Sequence, residues 1–533
     1  MNPSNARWIE IGTLAKGNMI QMKQSGMHSQ PSLTTRNCVT MLRSRATHTE
    51  VGSTKKIHPH HVWSLITTYL ILSYLKLLNS LSDYLTYDFL PHICLNIYQV
   101  PGESQQEDHV SPVSSAISVV LSGMVFLLSS WLFIGIAQAQ TKSNHYGLQY
   151  DLSLEPEENL AMVSLTLSEG ATKNIWSLRL RFDPQRHREF EANGKLEVDG
   201  EYITWSPPDK GGKLSFQLLV DAQRTNGQFD ARMTNDWALF RGDDLFPVVQ
   251  TDQLDEAEAD ASLHVHLPHG WTFATAYPEI EKNVYQVEQV HRSFDRPTGW
   301  MAAGRLGVRR EKIAGIQVSV AGPMDQGVRR MDILAMLNWN LPKLRRVVPN
   351  MPKRLLIVSA RDQMWRGGLS GPSSLYLHAD RPLISENATS TLLHELMHVV
   401  TRLKAEKGAD WIVEGIAEYY SLKIMWRSGT ITERHYQKAF QKLEKWARQI
   451  DRLDVNRASG GVTAKAVGVL RKLDHEIHEK TKRDKSLDDV VELLTTTRKK
   501  VSLDKLRAAV EKVMSKRPEA LTDKQLGFNT KNP

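Results

Sequence analysis

Thr391 to Val400 reads TLLHELMHVV, and Asp410 to Tyr420 reads DWIVEGIAEYY. The first stretch holds His394-Glu395-Leu396-Met397-His398, two histidines four residues apart with a glutamate after the first. On an α-helix, residues i and i+4 share a face, so both imidazoles can reach one metal ion. Glu395 then leans over the open side of that ion and takes a proton from bound water. Zinc brings the pKa of such water to about 7, which makes hydroxide available at neutral pH. Leu392, Leu393, Leu396, Met397, Val399 and Val400 make this helix apolar nearly all round, as in a buried helix. Two histidines and a glutamate are costly there unless something pairs with them, and a metal does.

The second stretch offers the third ligand. Asp410 reads as the N-cap of a helix that follows the turn Lys407-Gly408-Ala409, and two helices joined this way face each other. Glu414, flanked by Ile412, Val413 and Ile416, completes a His, His, Glu set with one position left for water. Glu418 lies one turn further along the same face. It either hydrogen-bonds a ligand histidine from behind or stands in solvent.

Upstream of the metal motif, Arg330–Val348 has helical spacing and Arg354–Ala360 reads as a buried strand. Gly367 to Pro372 reads as a loop, Ser374–His378 as a strand, and a helix is expected from about Ser385. Residues 145–325 alternate apolar and polar positions, for instance at Leu148–Leu152, Met162–Leu167, Ile175–Phe182, Leu214–Val220 and Leu263–Leu267. Turn signals such as Asn193-Gly194 and Asp199-Gly200 separate them, so an antiparallel β-domain is expected. The acidic run Asp252–Asp260 in that domain reads as a solvated loop. Residues 432–450, 463–482, 486–497 and 503–515 have helical spacing, and His475 with His478 is an exposed i, i+3 pair rather than a metal motif.

At the other end, Ala116–Ala137 carries no charge and is long enough to span a bilayer. Ala137-Gln138-Ala139 has the small-x-small form of a signal-peptidase site. Two readings stand: a signal peptide whose translation start lies near Met124, or an internal membrane anchor. Both place residues 140–533 outside the cytoplasm, in the periplasm or cell envelope. Cys38 and Cys94 both precede this part, which excludes a disulfide framework, a thiol nucleophile and a cysteine zinc site from it. The net charge of +8 divides into +2 for residues 1–139, −5 for 140–420 and +11 for 421–533. The basic clusters of the last part lack the interleaved aromatics of a single-strand binder, so no nucleic-acid partner is expected.

HELMH followed by WIVEGIAEYY resembles the gluzincin metallopeptidases, above all the glycyl aminopeptidase-like and aminopeptidase N-like families. Their signatures are HExxH and W-x-x-E-G-x-[AT]-x-[YF]. The likeness extends through Leu473-Asp474 and Lys485-Ser486-Leu487-Asp488-Asp489, and covers about residues 145–500. It implies zinc bound by His394, His398 and Glu414, with Glu395 as general base, and a peptide or protein substrate. Two departures stand out. Those aminopeptidases carry a glutamate motif that holds the substrate amine, whereas Gly367-Gly368-Leu369-Ser370-Gly371 has no carboxylate. They also carry an oxyanion-stabilising tyrosine, where alignment on Asp474 places Val462 and Thr463. Tyr376, Tyr419, Tyr420, Tyr436 and His435 remain as substitutes.

The expectation is an α+β multidomain chain. An extension (1–115) and a signal peptide or membrane anchor (116–139) precede an N-terminal antiparallel β-domain (140–325). A thermolysin-like, gluzincin catalytic domain (326–430) and a C-terminal helical region (431–533) follow. Membrane association is expected only through residues 116–137. Two functions fit: a secreted or envelope-associated zinc peptidase, or a weakened or inactive binding protein on the same fold.

Overall fold

The computed structural model describes residues 144–528, apart from 289–293, 362 and 498. The extension 1–115 and the apolar run 116–137 lie outside the described residues, as do both cysteines. No helix among the described residues is long and apolar enough to cross a membrane.

The alternating segments form strands. His145–Glu155, Leu160–Leu167, Gly212–Leu219 and Glu258–His266 lie in a seven-stranded sheet. Ile175–Arg181 belongs to a four-stranded sheet, and Trp237–Arg241 and Trp300–Gly304 to a five-stranded one. In His145–Glu155 every second residue is buried, which is how a period of two places one face on a core. That core gathers Tyr150, Leu152, Leu178, Trp205, Phe216 and Phe240. The alternation led to the expectation of an antiparallel domain, and the structure corrects this: His145–Glu155 runs parallel to Glu258–His266, with Tyr150 opposite Leu263. Alternation encodes which face is buried and is silent on strand direction, which the path of the long intervening chain decides.

Leu306–Ile313 and Ile316–Pro323 fall within the stretch read as β-domain, yet they pair into a second five-stranded sheet, the one that carries the site. Ile316–Pro323, Arg354–Val358 and Ser374–Leu377 run parallel at its centre. Gly368–Gly371, expected as a loop, is the antiparallel edge strand of this sheet. Glycine and serine conceal it from pattern reading, because they supply no apolar face.

Seven long helices accompany this sheet: α1 (Arg330–Val347), α2 (Thr391–Thr401), α3 (Asp410–Arg427), α4 (Glu433–Ala447), α5 (Gly461–Lys480), α6 (Leu487–Thr497) and α7 (Leu503–Met514). They share one large core that includes Leu337, Leu396, Trp411, Ile416, Phe440, Leu470 and Val490. Gly415 in the EGIAEYY stretch is needed for packing: a Cβ there would stand 2.8 Å from the Cβ of Ala466 on α5. The two cores meet through a third cluster in which Trp300 and Tyr376 stack at 5.2 Å. Trp300 also ties down the edge strand. Its Nε1 donates to the Leu369 carbonyl at 2.8 Å, and its backbone N–H donates to Ser374 Oγ at 2.7 Å.

One feature of the helical part escapes pattern reading. Lys423 on α3 is 3% exposed, and its Nζ donates to Asp474 of α5 at 2.7 Å and to Asp488 of α6 at 3.2 Å. Tyr419 donates to Asp474 at 2.6 Å, Tyr420 to Asp488 at 2.9 Å, and the Leu487 N–H to Asp474 at 2.8 Å. Burial pushes both carboxyls up, but the Lys423 charge and these hydrogen bonds, joined at Asp488 by the Arg427 ion pair, outweigh it and hold them below 3.8.

Candidate metal centre

Helix α2 begins at Thr391, not near Ser385. Ser385 and Thr389 close a separate turn on each other, and Ser390 caps the helix by accepting the Leu393 N–H at 3.3 Å. Leu392, Leu393, Leu396, Met397, Val399 and Val400 are buried, so the single remaining face carries His394, Glu395 and His398. Asp410 is the first residue of α3 rather than its cap. Its carboxylate instead accepts the Ala458 N–H at 2.8 Å and anchors the loop before α5.

The facing helices bring the expected ligands together. His394 Nε2 and His398 Nε2 are 3.2 Å apart, and each lies 3.3 Å from a Glu414 carboxylate oxygen. One donor atom from each of the three residues fits within 4.8 Å of the others, the only such His, Cys, Asp and Glu group of three among the described residues. The acidic run Asp252–Asp260, expected as a solvated loop, is instead the turn between the strands Val248–Gln253 and Glu258–His266 together with their ends, and Asp252 accepts a hydrogen bond from Ser177. Glu418 is not in solvent: its carboxylate meets His394 Nδ1 at 2.9 Å. That contact places the Nδ1 proton toward Glu418 and leaves Nε2 free as a donor atom.

The donor set fits zinc. Two imidazoles and one carboxylate, with the second nitrogen of one imidazole held by another carboxylate, have the composition that an open three-ligand zinc site requires. Burial opposes a charge on His394, but Glu414 and Glu418 outweigh it and raise its pKa to about 10. Burial and the neighbouring His394 charge bring His398 down to about 4. Glu414 is raised by burial, yet the His394 hydrogen bond and the charges of both histidines and Arg457 leave it below its ordinary value. A cation at this point competes with the His394 proton for the same electron pair.

Glu395 sits beside the edge strand and accepts hydrogen bonds from the Ser370 backbone and hydroxyl. Burial is the largest influence on it and raises its pKa above 4.5, toward the range useful to a general base. Gly368 makes room for it: a Cβ there would lie 2.6 Å from Glu395 Cγ and 2.7 Å from Thr391 Cγ2. Gly368→Ala is thus expected to push Glu395 aside and to lower kcat on the order of a hundredfold while metal content stays the same. Turnover and zinc content measured on one sample check this.

All of these groups open onto one cavity of about 900 Å³. None of the five residues considered as oxyanion donors lines it. Tyr376 donates to the Trp365 carbonyl, Tyr419 and Tyr420 to the aspartates of the buried network, and Tyr436 stacks on Trp426. His435 lies in the exposed first turn of α4. The cavity wall instead presents Thr463, one of the two residues aligned to the missing tyrosine, and Arg457. Nothing in the local pattern around Arg457 marks it, since only folding brings the loop before α5 to the metal helices. His475 and His478 face Glu479 and Asp474 at 3.2 and 3.9 Å and hold no metal-ligand geometry.

No protein-family model matches the sequence, and no curated protein does. Among solved structures, the aminopeptidase N family protein from Idiomarina loihiensis is similar to this chain. The two share a TM-score of 0.52 over 66% of this chain and 70% of that one, at 16% sequence identity. The fold is thus aminopeptidase N-like: mixed sheets and helices in a multidomain α+β arrangement that ends in a helical region.

Proposed function

We propose that this chain is a zinc-dependent peptidase that acts outside the cytoplasm. The observation that carries the reading is the convergence of His394 Nε2, His398 Nε2 and Glu414 on one point, with Glu395 on the same cavity. The likeness in fold to an aminopeptidase N family protein supports it. The extracytoplasmic location rests on the uncharged run Ala116–Ala137 and the Ala137-Gln138-Ala139 site after it.

Zinc held by His394, His398 and Glu414 would supply Lewis acidity, polarising a peptide carbonyl and acidifying water. The Glu395 carboxylate takes a proton from the attacking water and returns it to the leaving amine nitrogen. Ser370 orients that carboxylate, and Glu418 holds the His394 ring in place through Nδ1. The edge strand Gly368–Gly371 borders the cavity, and such an edge receives an extended peptide by main-chain pairing. The absence of a carboxylate in Gly367–Gly371 removes the amine anchor of a strict N-terminal trimmer, so internal peptide bonds are the proposed target.

The test is zinc stoichiometry together with cleavage-site mapping on a peptide library. One zinc per chain and cuts that cease on chelation support the proposal, while a zinc-loaded chain that cuts nothing overturns it. A second reading, a gluzincin-fold binding protein, is favoured by the lack of a cavity-lining tyrosine and predicts zinc without cleavage. Glu418→Gln is expected to weaken zinc affinity about 10- to 100-fold with the fold intact. Competition with a zinc-selective chelator measures it, and unchanged affinity would remove Glu418 from the site.

A further inference from the structure

The metal centre accounts for only part of the cavity. Helix α4 adds Lys442, with Leu443 and Trp446 on the same face, and the loop before α5 adds Arg457. Four cations line the cavity: Arg224, Lys404, Lys442 and Arg457. Arg224 is neutralised, since it pairs with Asp230 at 2.6 Å and lies 4.1 Å over the Trp365 ring. The other three have no carboxylate partner among the described residues. Lys442 donates only to the neutral Asn387 carbonyl, and Lys404 and Arg457 form no side-chain bond. None of the cavity acids forms an ion pair with them. Glu414 and Glu418 meet the histidines, and Asp410 accepts the Ala458 N–H.

Three cations without an ion-pair partner among the described residues line one cavity, where each is available to a negative group that enters. A guanidinium pairs with a carboxylate through two parallel hydrogen bonds, and a lysine adds a movable point charge. Arg457 lines the same cavity as His394, Glu395, His398 and Glu414. A peptide seated at the candidate metal ligands therefore occupies the same cavity as these cations.

We propose that Lys404, Lys442 and Arg457 form a carboxylate-binding subsite that selects peptides with a negative charge next to the scissile bond. This deepens the peptidase reading and rests on it. The carboxylate belongs either to an Asp or Glu side chain or to a free C-terminus.

Peptide pairs separate these sources. One pair differs by Asp against Asn beside the cleaved bond, with the C-terminus amidated. The other has a neutral sequence with a free or an amidated C-terminus. The full zinc-loaded chain is expected to favour the charged member of at least one pair by tenfold or more in kcat/KM, mainly through KM. In Arg457→Gln the ratio should fall toward one. Binding of the same pairs to the Glu395→Gln chain, followed by calorimetry, gives a readout without turnover and should show the same preference.

Equal use of both members of both pairs by the unaltered chain overturns the subsite and leaves the peptidase reading intact. A parallel loss on both members in Arg457→Gln, with the ratio kept, overturns it as well. Charge-selective, Arg457-dependent binding without any cleavage overturns the peptidase reading and retains the subsite.

Discussion

Glu395→Gln is expected to keep one zinc per chain and to lower kcat by about 10²- to 10⁴-fold, or about 3–5 kcal/mol in the barrier. The amide has nearly the same shape, so it still fits beside Gly368, where a Cβ would come within 2.6 Å of Glu395 Cγ. It still accepts hydrogen bonds from Ser370, but it cannot take a proton from water at neutral pH. Glu395 lies next to His394 without being one of the three converging ligands, so its loss should spare the metal. Turnover and zinc content on the same preparation decide the matter. Full activity in the variant would remove Glu395 from the mechanism, and loss of zinc would turn it into a ligand.

Asp474→Ala is expected to destabilise the helical part by roughly 2–4 kcal/mol, less than the full cost of a buried charge left unpaired, because Lys423 keeps one carboxylate. The substitution strands Lys423, at 3% exposure, with Asp488 as its remaining carboxylate. It also removes the acceptor of the Tyr419 hydroxyl and of the Leu487 N–H at the start of α6. Urea unfolding measures the change, and a cost below about 1 kcal/mol would show that the network does not hold α3, α5 and α6 together. Acid should act in the same direction. Asp474 and Asp488 titrate below 3.8 in the folded chain, so between those values and 3.8 the unfolded chain binds more protons. Their contribution is complete above about pH 5 and is lost as pH falls through 3.8 toward the folded values. The Asp474→Ala chain should show a shallower loss over that window.

Much of the site was legible in the residues. The i, i+4 spacing of His394 and His398 needs only a helix, and the apolar residues around them guarantee that the helix is buried. Glu414 and Glu418 were legible as candidates because the short connection Arg402–Ala409, which ends in the turn Lys407-Gly408-Ala409, brings α3 back against α2. The choice of contact for Glu418 was not legible, because one turn of helix separates a residue that touches His394 from one that touches water. Gly368 was read as loop because its role is to be absent, leaving space for a glutamate from another element.

The sequence by itself determined the helices, the alternating strands and the candidate metal ligands, since each depends on spacings of a few residues that backbone geometry enforces locally. Tertiary structure alone decided the parallel pairing of His145–Glu155, the edge strand beside Glu395, the buried Lys423 between Asp474 and Asp488, and the approach of Arg457 to the cavity. These join segments far apart in the chain. Local periodicity records which face of an element is buried and carries no information about which distant element will cover it.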